Sequence, residues 1–249
     1  AICLVDAATG TTTKVAETTA WNFQQGAMLH WDPRNPEHGI LYNDREGASI
    51  VSVSLDTRTG EKHILPRAIS AVSRNGRHAL SLTYGRLQRL RPVVGYGGMA
   101  DPNPEAPNPD NDGVFVLDLE SGETRLAVSI AKVYALLLEK HPEIDGRHMW
   151  FNHTVFNKDG TRFLFLARAR VHWWRPFQTA MLAANLDGSD IREVVPFGKY
   201  VSHFDWRNNR EIIETLKDNG SYVHALFTDG EAGYQVLDPE FLLGDGHCT

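Results

Sequence analysis

The sequence predicts an all-β chain folded as part of a β-propeller, with four-stranded antiparallel blades following one another along the chain. Three observations carry that prediction. A short phrase recurs in which Asp or Asn closes an apolar strand before a Gly turn: Asp6 to Gly10, Asp56 to Gly60, Asp118 to Gly122, Asn185 to Gly188, and more loosely Asp229-Gly230. A second turn alternates with it, at Asp32 to Pro36, Ser73 to Gly76, Asn157 to Gly160 and Trp206 to Asn209. Two hairpins per unit make a four-stranded sheet, and units recurring at roughly 40 to 65 residues suit propeller blades.

In each first-type turn the Asp or Asn side chain can bond its own backbone, and the Gly supplies positive φ. The blades are expected to open near Met28, Ser70, Asn152 and Ser202, with half a blade at each end. The chain thus reads as one domain, 1–249, cut from a ring at both ends, and its unpaired strand edges should make it self-associate if produced alone. Two insertions interrupt the pattern. Arg86 to Asp112 holds five prolines and is expected to be an extended loop. Ile130 to His141 is rich in helix formers, ends before Pro142, and is the one helix expected.

Composition narrows the function. A hydrophobic share of 42% with 22% charged residues is that of a soluble globular chain. No apolar run approaches the roughly 18 residues of a membrane span. A net charge of −6 argues against nucleic acid as partner. Cys3 and Cys248 form no disulfide framework and read as buried free thiols. Phosphate loops, Gly-x-Ser-x-Gly elbows, paired Cys-x-x-Cys and His-Glu-x-x-His motifs are all missing from the sequence.

Three histidines occupy the entries to successive blades, beside the channel: His153 in Phe151-Asn152-His153, His203 in Val201-Ser202-His203, and His247 in Gly246-His247. A single strand histidine is usually structural, but radial repetition would bring these three toward one axis. With Asp245 and Asp205 near them, they could hold a divalent transition ion such as Mn²⁺ or Zn²⁺. Arg86, Arg89 and Arg91 on the proline-rich insert, with Arg168 and Arg170 at a strand end, could clamp carboxylates. Trp173-Trp174 and Tyr96 could stack on sugar rings. His148 lies close to His153 in sequence.

On these histidine phrases and the Asp-Gly turns the chain resembles the oligogalacturonate lyases, seven-bladed propellers that cleave short pectic oligomers with Mn²⁺. The resemblance implies His153 as the Brønsted base, His203 and His247 as metal ligands, an acidic oligosaccharide as substrate, arginines Arg86, Arg89, Arg168 and Arg170 as its clamp, and a cytoplasmic location. The chain departs from that family near its end: where a second histidine is expected, two positions before His247, stands Asp245, and Leu242-Leu243 occupy the neighbourhood of the family's glutamine. Asp245 is therefore the substitute third ligand. The second reading is a non-catalytic propeller of the TolB type, a binding or scaffold module whose histidines are structural.

Overall fold

The computed structural model describes residues 1–171, 176–242 and 244–247. Five antiparallel sheets follow one another, each a meander whose spatial order is its sequence order. The first has two strands, β1 (Ile2–Val5) and β2 (Thr12–Ala16). The second holds β3 (His30–Trp31), β4 (Gly39–Glu46), β5 (Ser49–Asp56) and β6 (Lys62–Leu65). The third holds β7 (Ala71–Val72), β8 (His78–Ser81), β9 (Gly113–Asp118) and β10 (Thr124–Ser129). The fourth comprises β11 (Met149–Phe156), β12 (Arg162–Ala169), β13 (Gln178–Asn185) and β14 (Arg192–Lys199). The fifth comprises β15 (Val201–Trp206), β16 (Glu211–Asp218), β17 (Ser221–Thr228) and β18 (Gln235–Leu237). This is a β-propeller whose ring is open, and its four-stranded blades open at the expected places.

The turns explain the repetition. Asp6 Oδ1 accepts from the amides of Ala8 and Thr9, Asp56 Oδ1 from Arg58 and Thr59, and Asp118 Oδ1 from Glu120 and Ser121. The glycines that end these turns, Gly10, Gly60 and Gly122, have φ of 71°, 78° and 75°. One local solution, a carboxylate capping two amides with a left-handed glycine behind it, is used three times over.

Packing between sheets fixes the blades against one another. One apolar cluster runs through the second, third and fourth sheets and takes in Leu41, Leu80, Val116, Trp150, Phe163 and Phe165. Another, with Leu164, Leu166, Met181, Trp206, Ile212 and Leu216, joins the fourth sheet to the fifth. Trp206 Nε1 adds a hydrogen bond of 3.2 Å to the carbonyl of Val155 across that boundary.

The helix expected after β10 is present as α2 (Ile130–Leu138), capped by Ser129, whose side chain accepts from the Lys132 amide. The proline-rich insert departs from expectation. It opens inside a helix, α1 (Tyr84–Leu90), and continues through a 3₁₀ turn at Pro92–Val94. Gly85 decides its seating: a Cβ there would lie 1.9 Å from the Ala100 carbonyl oxygen. Cys3 is exposed, contrary to expectation, because it sits on a strand with one unpaired side, and Cys248 lies outside the described residues. No helix among the described residues is long and apolar enough to cross a membrane.

Candidate functional site

A cleft of about 470 Å³ lies between the second half of β11 and the start of β15, and His153, His203 and His247 all line it. The three histidines thus border one cleft, with His153 in the middle of its strand and not at the blade entrance. Its other polar walls are Gln24 and Gln25 from the β2–β3 connection, Arg91 just after α1, and Arg168 near the end of β12. A larger groove, about 820 Å³ between β1 and β3, is lined by Ile2, Val15, Leu29 and Trp31 and contains none of the expected site residues.

His153 is aimed by its backbone. Register shifts between Asn152 and Val155 where β11 pairs with β12, and His153 takes a φ of 51° inside that bulge. Left-handed backbone is uncommon for a residue with a Cβ, and such strain gathers at functional sites. Its Nδ1 lies 3.3 Å from Gln25 Nε2 and its Nε2 lies 3.4 Å from Gln24 Nε2. Burial, followed by the charges of Arg168, Arg91 and His203, pushes its pKa down to about 3, so the imidazole is neutral at physiological pH.

Arg168 and Arg91 flank one aromatic ring. Their guanidinium carbons stand 4.7 Å and 4.8 Å from the centroid of Phe177. Arg168 donates Nε–H to Thr179 Oγ1 at 3.2 Å. Burial and then the charge of Arg91 bring the Arg168 pKa down to about 10. Arg91 is lowered by burial and then by Arg170. Both guanidiniums also border the cleft.

The remaining expected residues divide. His203 Nδ1 donates to Asp245 Oδ1 at 3.0 Å, and the His203 and His247 rings lie 3.9 Å apart between centroids. The other oxygen of Asp245 accepts from Ser202 Oγ at 2.8 Å and Tyr200 OH at 3.2 Å. Burial alone would raise the Asp245 pKa, but the hydrogen bonds from Ser202, His203 and Tyr200 outweigh it and hold the carboxyl below its ordinary range. Asp245 is thus a buttress that orients His203, as carboxylates behind metal-binding or catalytic imidazoles do, and not the donor the sequence suggested. Among the described residues no three His, Cys, Asp or Glu side chains are gathered to hold a metal ion. Two imidazoles fall short of a transition-metal site, so the residues present do not fit the expected Mn²⁺.

Arg86 is not a substrate clamp. It is 2% exposed, donates Nε–H to the Met149 carbonyl at 2.7 Å and Nη groups to the carbonyls of Ala106 and Pro107, and so pins the proline-rich insert to β11. Arg89 pairs with Asp101 at 2.8 Å and reaches His148 Nδ1 at 3.1 Å, away from the cleft lining. Arg170 is exposed and makes its influence felt through Arg91. Tyr96 is fully buried and stacked on Tyr84 at 4.4 Å, so it is no sugar platform. Trp173 and Trp174 lie outside the described residues.

Gln24, Gln25 and Phe177 were missed by sequence reasoning. Their one signal was positional: Gln24 and Gln25 stand on a connection from an outer strand to the next inner strand, the same type of connection that follows β18 and carries His247.

No family model matches the chain, and no curated protein sequence matches it. Solved structures do. An oligogalacturonate lyase in complex with manganese aligns at a TM-score of 0.58 and 12% identity, covering 94% of this chain and 58% of that one. TolB from Acinetobacter baumannii aligns at 0.48 and 8% identity, covering 94% and 49%, and the propeller domain of the trilobed protease from Pyrococcus furiosus at 0.46 and 10%, covering 80% and 53%. At 12% identity the likeness to the lyase structure is one of fold, that of a β-propeller, and the chain spans about half the length of each of these structures.

Proposed function

We propose that the chain carries the acid–base and anion-binding part of a lyase that cleaves uronate oligosaccharides by β-elimination. The observation that carries this reading is a single cleft in which a half-buried neutral imidazole, His153, is lined up with two guanidiniums, those of Arg168 and Arg91. Elimination requires loss of the C5 proton of a uronate, which is barely acidic until the neighbouring carboxylate is neutralised. Arg168 and Arg91 would bind that carboxylate, and His153 would take the proton. The C5–H electrons form the C4–C5 double bond as the C4–O bond breaks, and the departing oxygen takes a proton from water.

Substrate binding also prepares the base. Two of the charges that depress His153 belong to Arg168 and Arg91. A carboxylate between them offsets those charges, so the imidazole becomes a stronger base in the occupied cleft than in the empty one. Should a divalent ion be required, His203 and His247 are the residues that would offer it nitrogen, and no step above depends on it.

The assay is the ultraviolet absorbance of unsaturated uronate ends formed from oligogalacturonides, with and without Mn²⁺ after chelation. His153→Ala is expected to lower turnover by about 10²-fold to 10⁴-fold while substrate binding persists. Arg168→Ala is expected to weaken binding itself. The shortfall in metal donors favours a second reading, a non-catalytic propeller that binds acidic sugars through the same arginines. Oligogalacturonide binding that Arg168→Ala abolishes, with no unsaturated product under either metal condition, would establish that reading in place of the first.

A further inference from the structure

The connection between β2 and β3 carries two aromatic side chains that lie outside the cleft lining. Phe23 is 83% exposed and Trp21 56%, and their rings meet edge to face with centroids 5.2 Å apart. Single exposed apolar side chains are ordinary, but two aromatic rings in contact and open to water leave a broad apolar surface uncovered.

The backbone beneath them is fixed. Asn22 and Gly26 exchange backbone hydrogen bonds of 3.1 Å and 3.0 Å, closing a tight loop. Asn22 is 3% exposed; its Oδ1 accepts from the amides of Gln24 at 3.2 Å and Gln25 at 2.7 Å, and its Nδ2 donates to the Val94 carbonyl at 3.3 Å. The Gln24 amide also donates to the Val93 carbonyl at 3.3 Å, so the loop is tied to the 3₁₀ turn that follows Arg91. A Cβ on Gly26 would lie 3.6 Å from Trp21 Nε1, which places the indole against the loop's own backbone.

The same loop walls the cleft. Gln24 and Gln25 line it, and their Nε2 atoms lie 3.4 Å and 3.3 Å from the ring nitrogens of His153. Phe23 is bonded to Gln24, so the aromatic pair and the cleft wall belong to successive residues of one tethered loop.

We propose that Phe23, supported by Trp21, is a stacking surface for a sugar ring of an acidic oligosaccharide, the ring next to the uronate held in the cleft. The inference rests on the reading of the cleft as a uronate site. A pyranose has apolar C–H faces and a polar rim; an aromatic face takes the former, and a guanidinium takes the carboxylate on the latter. The arginines therefore select the charge, while the aromatic ring adds affinity at low entropic cost, being a side chain of two torsions on a fixed backbone. Affinity should then grow with oligomer length, and Phe23 should be the reason.

The test is titration calorimetry of the full chain with digalacturonate and tetragalacturonate, in a His153→Ala parent so that turnover does not consume them. The parent is expected to bind the tetramer more tightly than the dimer. Phe23→Ala changes an exposed side chain and leaves the loop's backbone hydrogen bonds in place; it should weaken the tetramer about tenfold and spare the dimer, and Phe23→Trp should keep the difference. Arg168→Ala should weaken both oligomers. A Phe23→Ala chain that binds the tetramer as tightly as the parent, or loses both oligomers equally, overturns the stacking role; if it also self-associates less in sedimentation, the ring serves a contact between copies instead. A loss on Phe23→Ala without any loss on Arg168→Ala sinks the uronate reading of the cleft and leaves the stacking surface standing. A parent that binds neither oligomer overturns both.

Discussion

His153 couples the cleft to the acid stability of the fold. Its pKa of about 3 lies below the 6.5 of a free ring. Between those values the unfolded chain takes up a proton that the folded chain refuses, so stability falls as pH drops through 6.5 and the erosion ends near 3. The slope approaches about 1.4 kcal/mol per pH unit for such a group. His153→Gln removes it, so the variant should lose less stability than the wild type between pH 6 and pH 4, as read from urea midpoints. Equal losses would show the ring protonated in the folded state. That His153 shares a cleft with His203 and His247 was legible from the recurrence of histidine in successive blades, but its environment was not: Gln24, Gln25, Arg91 and Phe177 reach it from three other segments, and no local pattern in the sequence links them.

Among the elements, the turns were legible because their chemistry is local, a carboxylate bonding its own backbone with a glycine at positive φ. Helix α1 was not, since Gly85 inside it and Pro92 behind it read as loop signals, and tertiary contact settles the matter: Gly85 lets the Ala100 carbonyl approach and Arg86 ties down the rest of the insert. Strand β16 holds a different surprise. Glu214 is fully buried, both carboxyl oxygens lack partners among the described residues, and it shares a strand face with Ile212 and Leu216 against the fourth sheet. Desolvation holds its pKa well above the ordinary value, so its contribution is intact below about 4.5 and is lost as pH rises toward the folded value. A methionine fills similar space without a group that must stay protonated. Glu214→Met should therefore stabilise the fifth sheet at pH 7 by about 1 to 3 kcal/mol, measured by denaturant unfolding. A destabilised Glu214→Met would reveal a partner for the carboxyl.

At the scale of the molecule, what matters is that the five sheets do not close a ring. The manganese-bound lyase structure, which this chain covers over 58% of its length, shows how much more propeller such a scaffold can contain. Closure hides strand edges, and here they are open: each strand of the first sheet has one unpaired side, and β18 pairs with β17 alone. The β1 edge, Ile2–Val5, holds no charge or proline, two of the devices by which natural edge strands are protected. Beside it Val5, Leu29 and Trp31 are 65%, 50% and 59% exposed, and the apolar groove between β1 and β3 adds to the same face. A strand edge next to exposed apolar side chains is a template for pairing with a second copy. The 249-residue chain made alone should therefore associate reversibly, with a weight-average mass in sedimentation equilibrium that rises with concentration. Val5→Lys places a charge at an exposed position of that edge and should shift the equilibrium toward monomer while leaving the β11–β15 cleft undisturbed. If the wild-type chain sediments as a monomer at high concentration, or if Val5→Lys associates as strongly as the wild type, the association does not run through β1.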